Sequence, residues 1–383
     1  MSSAAFPPLP TPVREVGAPL ALIVVLGTIT ALILTLQTAA NPGGTVLGFA
    51  LATTATVAVL LCYLWLDRWE PEPPRLLVLA FLWGASVAVV IAVAVVGLID
   101  ATLPEPAPAD GQTRFVTAVV AAPLVEEAAK GLFLLVMMTG RRRNELNNLT
   151  DCLVYAGFTG AGFAWIENIF YIANGETVAT SLAIAGLRLV LGPFAHPLFT
   201  TMFAIGVFLA LRQRSAAVRV VCLLGGFAAA ALLHGLWNAS AMAGGQTYLG
   251  VYVMWMMPIF GLAVALAVTS RRREARIIAA QLPAMVRVGL VTPAEAGWLG
   301  RLGARKWAVR SAIRAGGRPA GATVKRFVQQ VVELAYVRDR IDRGFGDERV
   351  YALQNEEAHR LVAARRDASP ALYRLGGAPY PMR

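Results

Sequence analysis

Glu126 and Glu127 stand side by side inside the apolar run AVVAAPLVEEAAKGLFLLVMM. An ionisable side chain at membrane depth costs about 2.5–3.5 kcal/mol on insertion scales, so two adjacent ones call for a function. Three other apolar stretches carry groups able to do chemistry: Glu167 with Asn168 in FAWIENIFY, His196 in GPFAHPLFT, and His234 with Asn238 in LLHGLWNAS. The chain has three histidines; His196 and His234 lie in apolar runs and His359 lies in a charged tail. Water, a carboxylate base and two imidazoles make up hydrolytic equipment. In one version His196, His234 and Glu126 hold a zinc ion that lowers the pKa of its bound water. In the other, a glutamate activates water without metal, while His234 and Asn238 stabilise an oxyanion. The residue types admit both versions.

The spacings favour convergence. Successive residues on a helix point about 100° apart, so Glu126 and Glu127 cannot both aim at one point. Lys130 is four residues from Glu126 and three from Glu127, within pairing reach of either. One carboxylate is then expected to face a hydrated cavity and the other to be tied into an ion pair. His234 and Asn238, four apart, share one helix face, with Trp237 beside them. An HExxH pair is absent, and no Ser or Cys stands in a nucleophile motif. Asp100 and Asp151 do not suggest an aspartyl dyad.

These groups need a scaffold, and composition names it. Of 383 residues, 57% are hydrophobic and 15% charged, with mean hydropathy +0.60, which excludes an ordinary soluble domain. Apolar runs predict an all-α transmembrane bundle of eight helices, near 18–38, 46–66, 76–99, 114–138, 151–173, 181–211, 219–243 and 248–269. The first is too long for a cleaved signal peptide and is expected to be retained. The sixth, at 31 residues, is about 46 Å long against a core of about 30 Å, so a break is expected near Pro193–Pro197, bordering a cavity at His196. Cys62, Cys152 and Cys222 read as buried small hydrophobes rather than disulfide partners.

Arginines cluster in alternate loops: Arg68 and Arg75, Arg141 to Arg143, Arg212 to Arg219, and Arg271 to Arg273. The 100–113 loop is acidic and proline-rich. The positive-inside rule therefore predicts both termini in the cytoplasm of a cell-membrane protein. This divides the chain into a cytoplasmic segment 1–17, a transmembrane domain 18–270 and a tail 271–383. The tail holds 22 Lys/Arg against 10 Asp/Glu, a net +12 that accounts for the whole chain's +11. Its amphipathic periodicity predicts a helical domain against anionic lipid head groups; no nucleic-acid signature accompanies its charge. Thr292-Pro293-Ala294-Glu295 predicts a helix start.

Glu126-Glu127-Ala-Ala-Lys130, Phe163-Ala-Trp-Ile-Glu167-Asn168, His196 and His234-Gly-Leu-Trp237-Asn238, in this order, resemble the PrsW family of intramembrane proteases. Asp67-Arg-Trp-Glu70-Pro-Glu72-Pro73 resembles a further stretch of that family, and the likeness runs from about 60 to 270. The wider superfamily, which includes CAAX-prenyl and bacteriocin-immunity-type proteases, has a Glu-Glu motif, a later histidine and a His-xxx-Asn motif. The resemblance implies Glu126 as water-activating base, Glu127 as its supporting carboxylate, His196 as second catalytic histidine, and His234 with Asn238 as oxyanion pair. It also implies a membrane-anchored protein substrate, such as an anti-sigma factor cut on its extracytoplasmic side. Two other classes share part of this pattern. An ion-coupled transporter also places Glu and His at mid-membrane, although no inverted repeat is evident. A non-catalytic scaffold could use the basic tail to recruit a partner.

Overall fold

The computed structural model describes residues 20–102 and 115–376; the expected segment 1–17 and most of the 100–113 loop lie outside the described residues. Among the described residues there is no strand. Helices α1 (Leu20–Ala40), α2 (Pro42–Leu66) and α3 (Pro74–Thr102) come first. Then follow α4 (Ala122–Met137), entered through a π turn at Thr117–Ala121, and α5 (Leu149–Ala173). The next helical stretch is broken into α6 (Val178–Ala185, extended by a π turn Gly186–Leu191) and α7 (Ala195–Leu211). Helices α8 (Ala216–Met242) and α9 (Gly245–Arg287) complete the apolar series. Seven of the eight expected helices are present to within a few residues, and the expected break falls at Gly192–Phe194; the eighth, expected at 248–269, instead runs on to Arg287, since the basic residues after 270 end the apolar run without ending the helix.

Among the described residues, six stretches are long and apolar enough to cross a membrane: α1, α2, α3, Val178–Leu211, α8 and α9. Eight spans were expected. The two helices outside the six are α4 and α5, which carry Glu126, Glu127, Lys130, Glu167 and Asn168. The polar groups that mark the candidate site are what takes these two out of a count based on hydropathy.

The described residues divide into two compact units, one of residues 20–67, 71–102 and 115–268, the other of 68–70 and 269–376. In the first, α5 is the central element, buried along nearly its whole length. Small residues let its neighbours approach, the usual device where lipid supplies no hydrophobic drive between helices. A Cβ on Gly84 of α3 would stand 1.9 Å from the Thr159 carbonyl oxygen, and one on Gly160 would stand 2.8 Å from Pro197. Thus α3 and α7 both lie backbone to backbone against α5. The exposed faces of α1, α8 and α9 carry Leu, Val and Met, such as Leu32, Val221, Leu232 and Leu262, as a lipid-facing surface requires.

Of the cysteines, only Cys152 is buried. Cys62 is exposed, Cys222 is partly so, and all three are free thiols. The reading of all three as buried hydrophobes is corrected: Cys62 and Cys222 lie on outward faces of α2 and α8, where a small apolar side chain suits lipid equally well.

The second unit has its own core. Ile278, Leu282, Met285, Leu299, Phe327, Val331 and Leu361 are buried in it. Its helices after α9 are α10 (Pro293–Leu299), α11 (Leu302–Arg340, kinked at Gly316–Gly317) and α12 (Glu348–Gly376). The expected cap is present: Thr292 Oγ1 accepts from Glu295 N–H and Glu295 Oε2 from Thr292 N–H, with Pro293 in the first helical position.

Candidate active site

Helix α4 delivers Glu126, Glu127 and Lys130; all three are buried, Lys130 completely. Lys130 Nζ donates to Glu127 Oε1 at 2.7 Å and to His196 Nδ1 at 2.9 Å, lies 3.5 Å from Glu126 Oε2, and stands 4.0 Å from the Phe163 ring centroid. An ammonium with no access to water thus has two carboxylates, an imidazole and a π face around it, the full compensation such a charge needs.

Glu127 is the tied carboxylate. Its Oε1 also receives His234 Nδ1 at 3.0 Å, and its Oε2 receives Thr200 Oγ1 at 3.3 Å. Glu126 is the open one. Its Oε2 is buried with no hydrogen-bond partner, 3.8 Å from His234 Nε2. Both carboxylates nevertheless reach the same two groups, Lys130 Nζ at 2.7 and 3.5 Å and the His234 ring at 3.0 and 3.8 Å, so the expectation that they could not aim at one point is corrected: Glu127 holds the hydrogen-bonded contacts and Glu126 the longer ion-pair ones.

The break at Gly192–Phe194 places His196 in the first turn of α7. Gly192 permits the bend to close, since a Cβ there would meet the Trp237 ring at 2.9 Å. Because Lys130 donates to Nδ1, Nε2 carries the proton and donates to Glu167 Oε2 at 2.6 Å. His196 and His234 stand edge to face, centroids 5.1 Å apart, with Phe199 stacked on His234 at 4.6 Å. Phe163, Phe199 and Trp237 form the apolar wall.

Glu167 and Asn168 join the site through a residue that the motif reading passed over. Arg188, in the π turn ahead of the break, pairs through Nη2 with Glu167 Oε2 and donates from Nε to Asn168 Oδ1 at 2.6 Å. Its guanidinium lies 4.1 Å from the Tyr171 ring centroid. The signal was present: an Arg in the apolar run GLRLVL carries the same insertion cost that singles out Glu126. Thr200, four residues after His196, was missed as well; a threonine in an apolar helix gives no such signal.

Asn238 has a different partner from the one an oxyanion donor needs. Its Nδ2 donates to the Ala118 carbonyl at 2.9 Å. Asp67 and Glu72 of the Asp67–Pro73 stretch are held by other contacts. Asp67 Oδ2 accepts from Glu72 N–H at 3.0 Å, and Tyr155 of α5 donates to Glu72 Oε2 at 2.5 Å, which anchors the α2–α3 loop. Burial pushes the Asp67 carboxyl up to about 8, against the Glu72 amide and with Asp151 adding to the rise.

Ligand atoms of Glu126, His196 and His234 all lie within 4.8 Å of one another. Two of the three suit a zinc ion, Glu126 with its orphaned buried oxygen and His234 with Nε2 open, whereas His196 as placed offers no free nitrogen, since Nδ1 accepts from Lys130 and the Nε2–H donates to Glu167. His234 also has the usual supporting contact, its Nδ1–H on a second carboxylate with Nε2 left open.

The family model described as PrsW family intramembrane metalloprotease matches residues 72–263, half of the chain. The "Protease PrsW" of Clostridioides difficile (strain 630) is 30% identical over 149 residues, 38% of this chain. The match spans 59% of that curated relative's length. No solved structure matches the chain.

Proposed function

This chain belongs to the PrsW family, and from that premise we propose that it is an intramembrane protease cutting a membrane-anchored protein with water activated by Glu126. The observation that supports this most is the pair of unequal carboxylates. Glu127 is hydrogen-bonded by Lys130, His234 and Thr200, whereas Glu126 Oε2, a residue away, is buried and makes no hydrogen bond, only the longer ion-pair contacts with Lys130 at 3.5 Å and His234 at 3.8 Å.

Each residue has a role in this reading. Glu126 accepts the proton of the attacking water and returns it to the leaving amine. Glu127 fixes the His234 tautomer, so Nε2 faces the reacting centre. Lys130 holds the two carboxylates together and orients His196 through Nδ1. Glu167, held in turn by Arg188 with Asn168, keeps the His196 Nε2–H in place. Phe163, Phe199 and Trp237 exclude bulk water and strengthen each charge interaction inside. In the metal-dependent alternative Glu126, His196 and His234 would hold a zinc ion that lowers the pKa of its bound water; Glu126 would then be a ligand rather than the base, and His196 would have to release Lys130 or Glu167 to free a nitrogen. The substrate is a single-span regulatory protein of the anti-sigma type in a cell membrane, both termini of the protease are cytoplasmic, and the basic tail lies on anionic lipid.

The test uses the purified full chain in vesicles with a single-span reporter peptide. Wild-type protein releases a fragment and His234→Ala does not. An intact reporter together with a proton or ion flux through the vesicle wall would favour transport and sink the protease reading.

A further inference from the structure

In an α-helix each carbonyl accepts from the N–H four residues on, and in a π turn from the N–H five residues on. A carbonyl at membrane depth needs such a donor, because no water replaces it. The Ala118 carbonyl has neither. The Ala122 N–H, its α-helical donor, turns back to the Thr117 carbonyl. Its π donor would be residue 123, which is Pro123 and has no N–H. The α-helical donor of the Val119 carbonyl is also residue 123.

Both carbonyls face α8. Asn238 Nδ2 donates to the Ala118 oxygen at 2.9 Å. The Val119 oxygen lies against Gly235, where a Cβ would stand 2.5 Å from it. One residue earlier on α8, His234 Nδ1 bonds Glu127 at 3.0 Å. Three positions of the His-Gly-x-x-Asn motif therefore grip α4 at two levels, its entry turn and its carboxylates. Glu126 is the group that depends on this grip. Its Oε2 makes no hydrogen bond and only ion-pair contacts of 3.5 Å with Lys130, on its own helix, and 3.8 Å with His234, on α8, so its place follows the depth and rotation of α4 against α8.

We propose that Asn238 is a positioning residue: it gives the Ala118 carbonyl the donor that Pro123 withholds, and so sets Glu126. This rests on Glu126 being the base. It differs from the oxyanion role, in which the amide points at the substrate rather than at a carbonyl of its own protein.

The test compares Asn238→Ala, Pro123→Ala and the double variant, as full chains in vesicles with the reporter. A shift of about 1 Å in a reacting group costs about 10²-fold, so Asn238→Ala should lower kcat by about that much and change KM by less than about twofold. Asn238→Asp, the same shape without the N–H, should reproduce the loss if the alanine variant folds poorly. In the double variant residue 123 regains an N–H for the freed Ala118 carbonyl, and kcat should recover about tenfold relative to Asn238→Ala, the value of one hydrogen bond. Oxyanion donation predicts no recovery, because Pro123 does not meet the substrate; a double variant no better than Asn238→Ala overturns the proposal. Hydrogen exchange of amides 119–126 reads the same contact without catalysis. It should quicken in Asn238→Ala and in Gly235→Ala, and slow again in the double variant. Unchanged exchange in Asn238→Ala also overturns the proposal. If wild type cleaves nothing, the protease reading fails while the exchange result still decides the role of Asn238.

Discussion

Replacing Lys130 by Met removes the one ammonium between Glu127 Oε1 at 2.7 Å, His196 Nδ1 at 2.9 Å and Glu126 Oε2 at 3.5 Å, in a side chain with no exposure. Methionine nearly matches the volume and suits the face of Phe163, so the effect is electrostatic. Glu127 keeps His234 and Thr200, but two adjacent buried carboxylates lose their shared cation. Breaking a buried pair by removing one partner costs about 3–5 kcal/mol. For a unit of this size that corresponds to a fall in Tm of roughly 10 °C. Removing the opposing charge as well should recover part of it: Lys130→Met with Glu127→Gln should be more stable than the sum of the single effects by about 1–3 kcal/mol. The assay is thermal unfolding of the purified full chain in detergent, run as a double-mutant cycle. A Lys130→Met variant that melts with wild type, or single effects that simply add, would refute the placement of Lys130 as the hub.

Reporter fusions at 42, 107, 176 and 246 should report the outside and fusions at 143, 214 and 275 the inside; a reversed result at any interior loop breaks the orientation argument. A chain ending at residue 275 should still cleave the reporter in detergent, because Glu126, His196 and His234 all precede it; a folded but inactive truncation would show that the tail contributes to catalysis. Within the tail, burial pushes the Glu357 carboxyl up to about 8, with Glu333 adding to the rise and Arg360 opposing it. A carboxyl with a higher pKa folded than unfolded stabilises below the unfolded value of about 4.3, and that stability is lost as pH rises through about 8. Hydrogen-exchange protection of residues 324–375 should therefore decline between pH 6 and 8.5, and Glu357→Gln should flatten the decline; equal slopes would contradict it.

Helix positions were legible because apolar length is a direct physical requirement of a span, and the break at Gly192–Phe194 followed from Pro193, Pro197 and excess length. Glu126, Glu127, His196, Glu167 and His234 were legible because charge and imidazole in an apolar run are costly. What the sequence could not convey was pairing across elements. Arg188 is separated from Glu167 by a turn and 21 positions, and only the folded chain makes it that carboxylate's partner. The hydrogen bond of Asn238 depends on a π turn, and no residue pattern announces the register slip that leaves the Ala118 carbonyl free. The tail's periodicity announced helices, while its shared core of Ile278, Phe327 and Leu361 needed the tertiary fold.

The central claim is that Glu126 is the base and Glu127 its support. Cleavage of the single-span reporter by Glu126→Gln in vesicles tests it most directly. Glutamine keeps the shape of the side chain and cannot take the proton of water, so the account predicts a folded protein with wild-type melting behaviour and no detectable fragment. Near-normal cleavage by Glu126→Gln would contradict it and move the search for the base to Glu127 or Glu167.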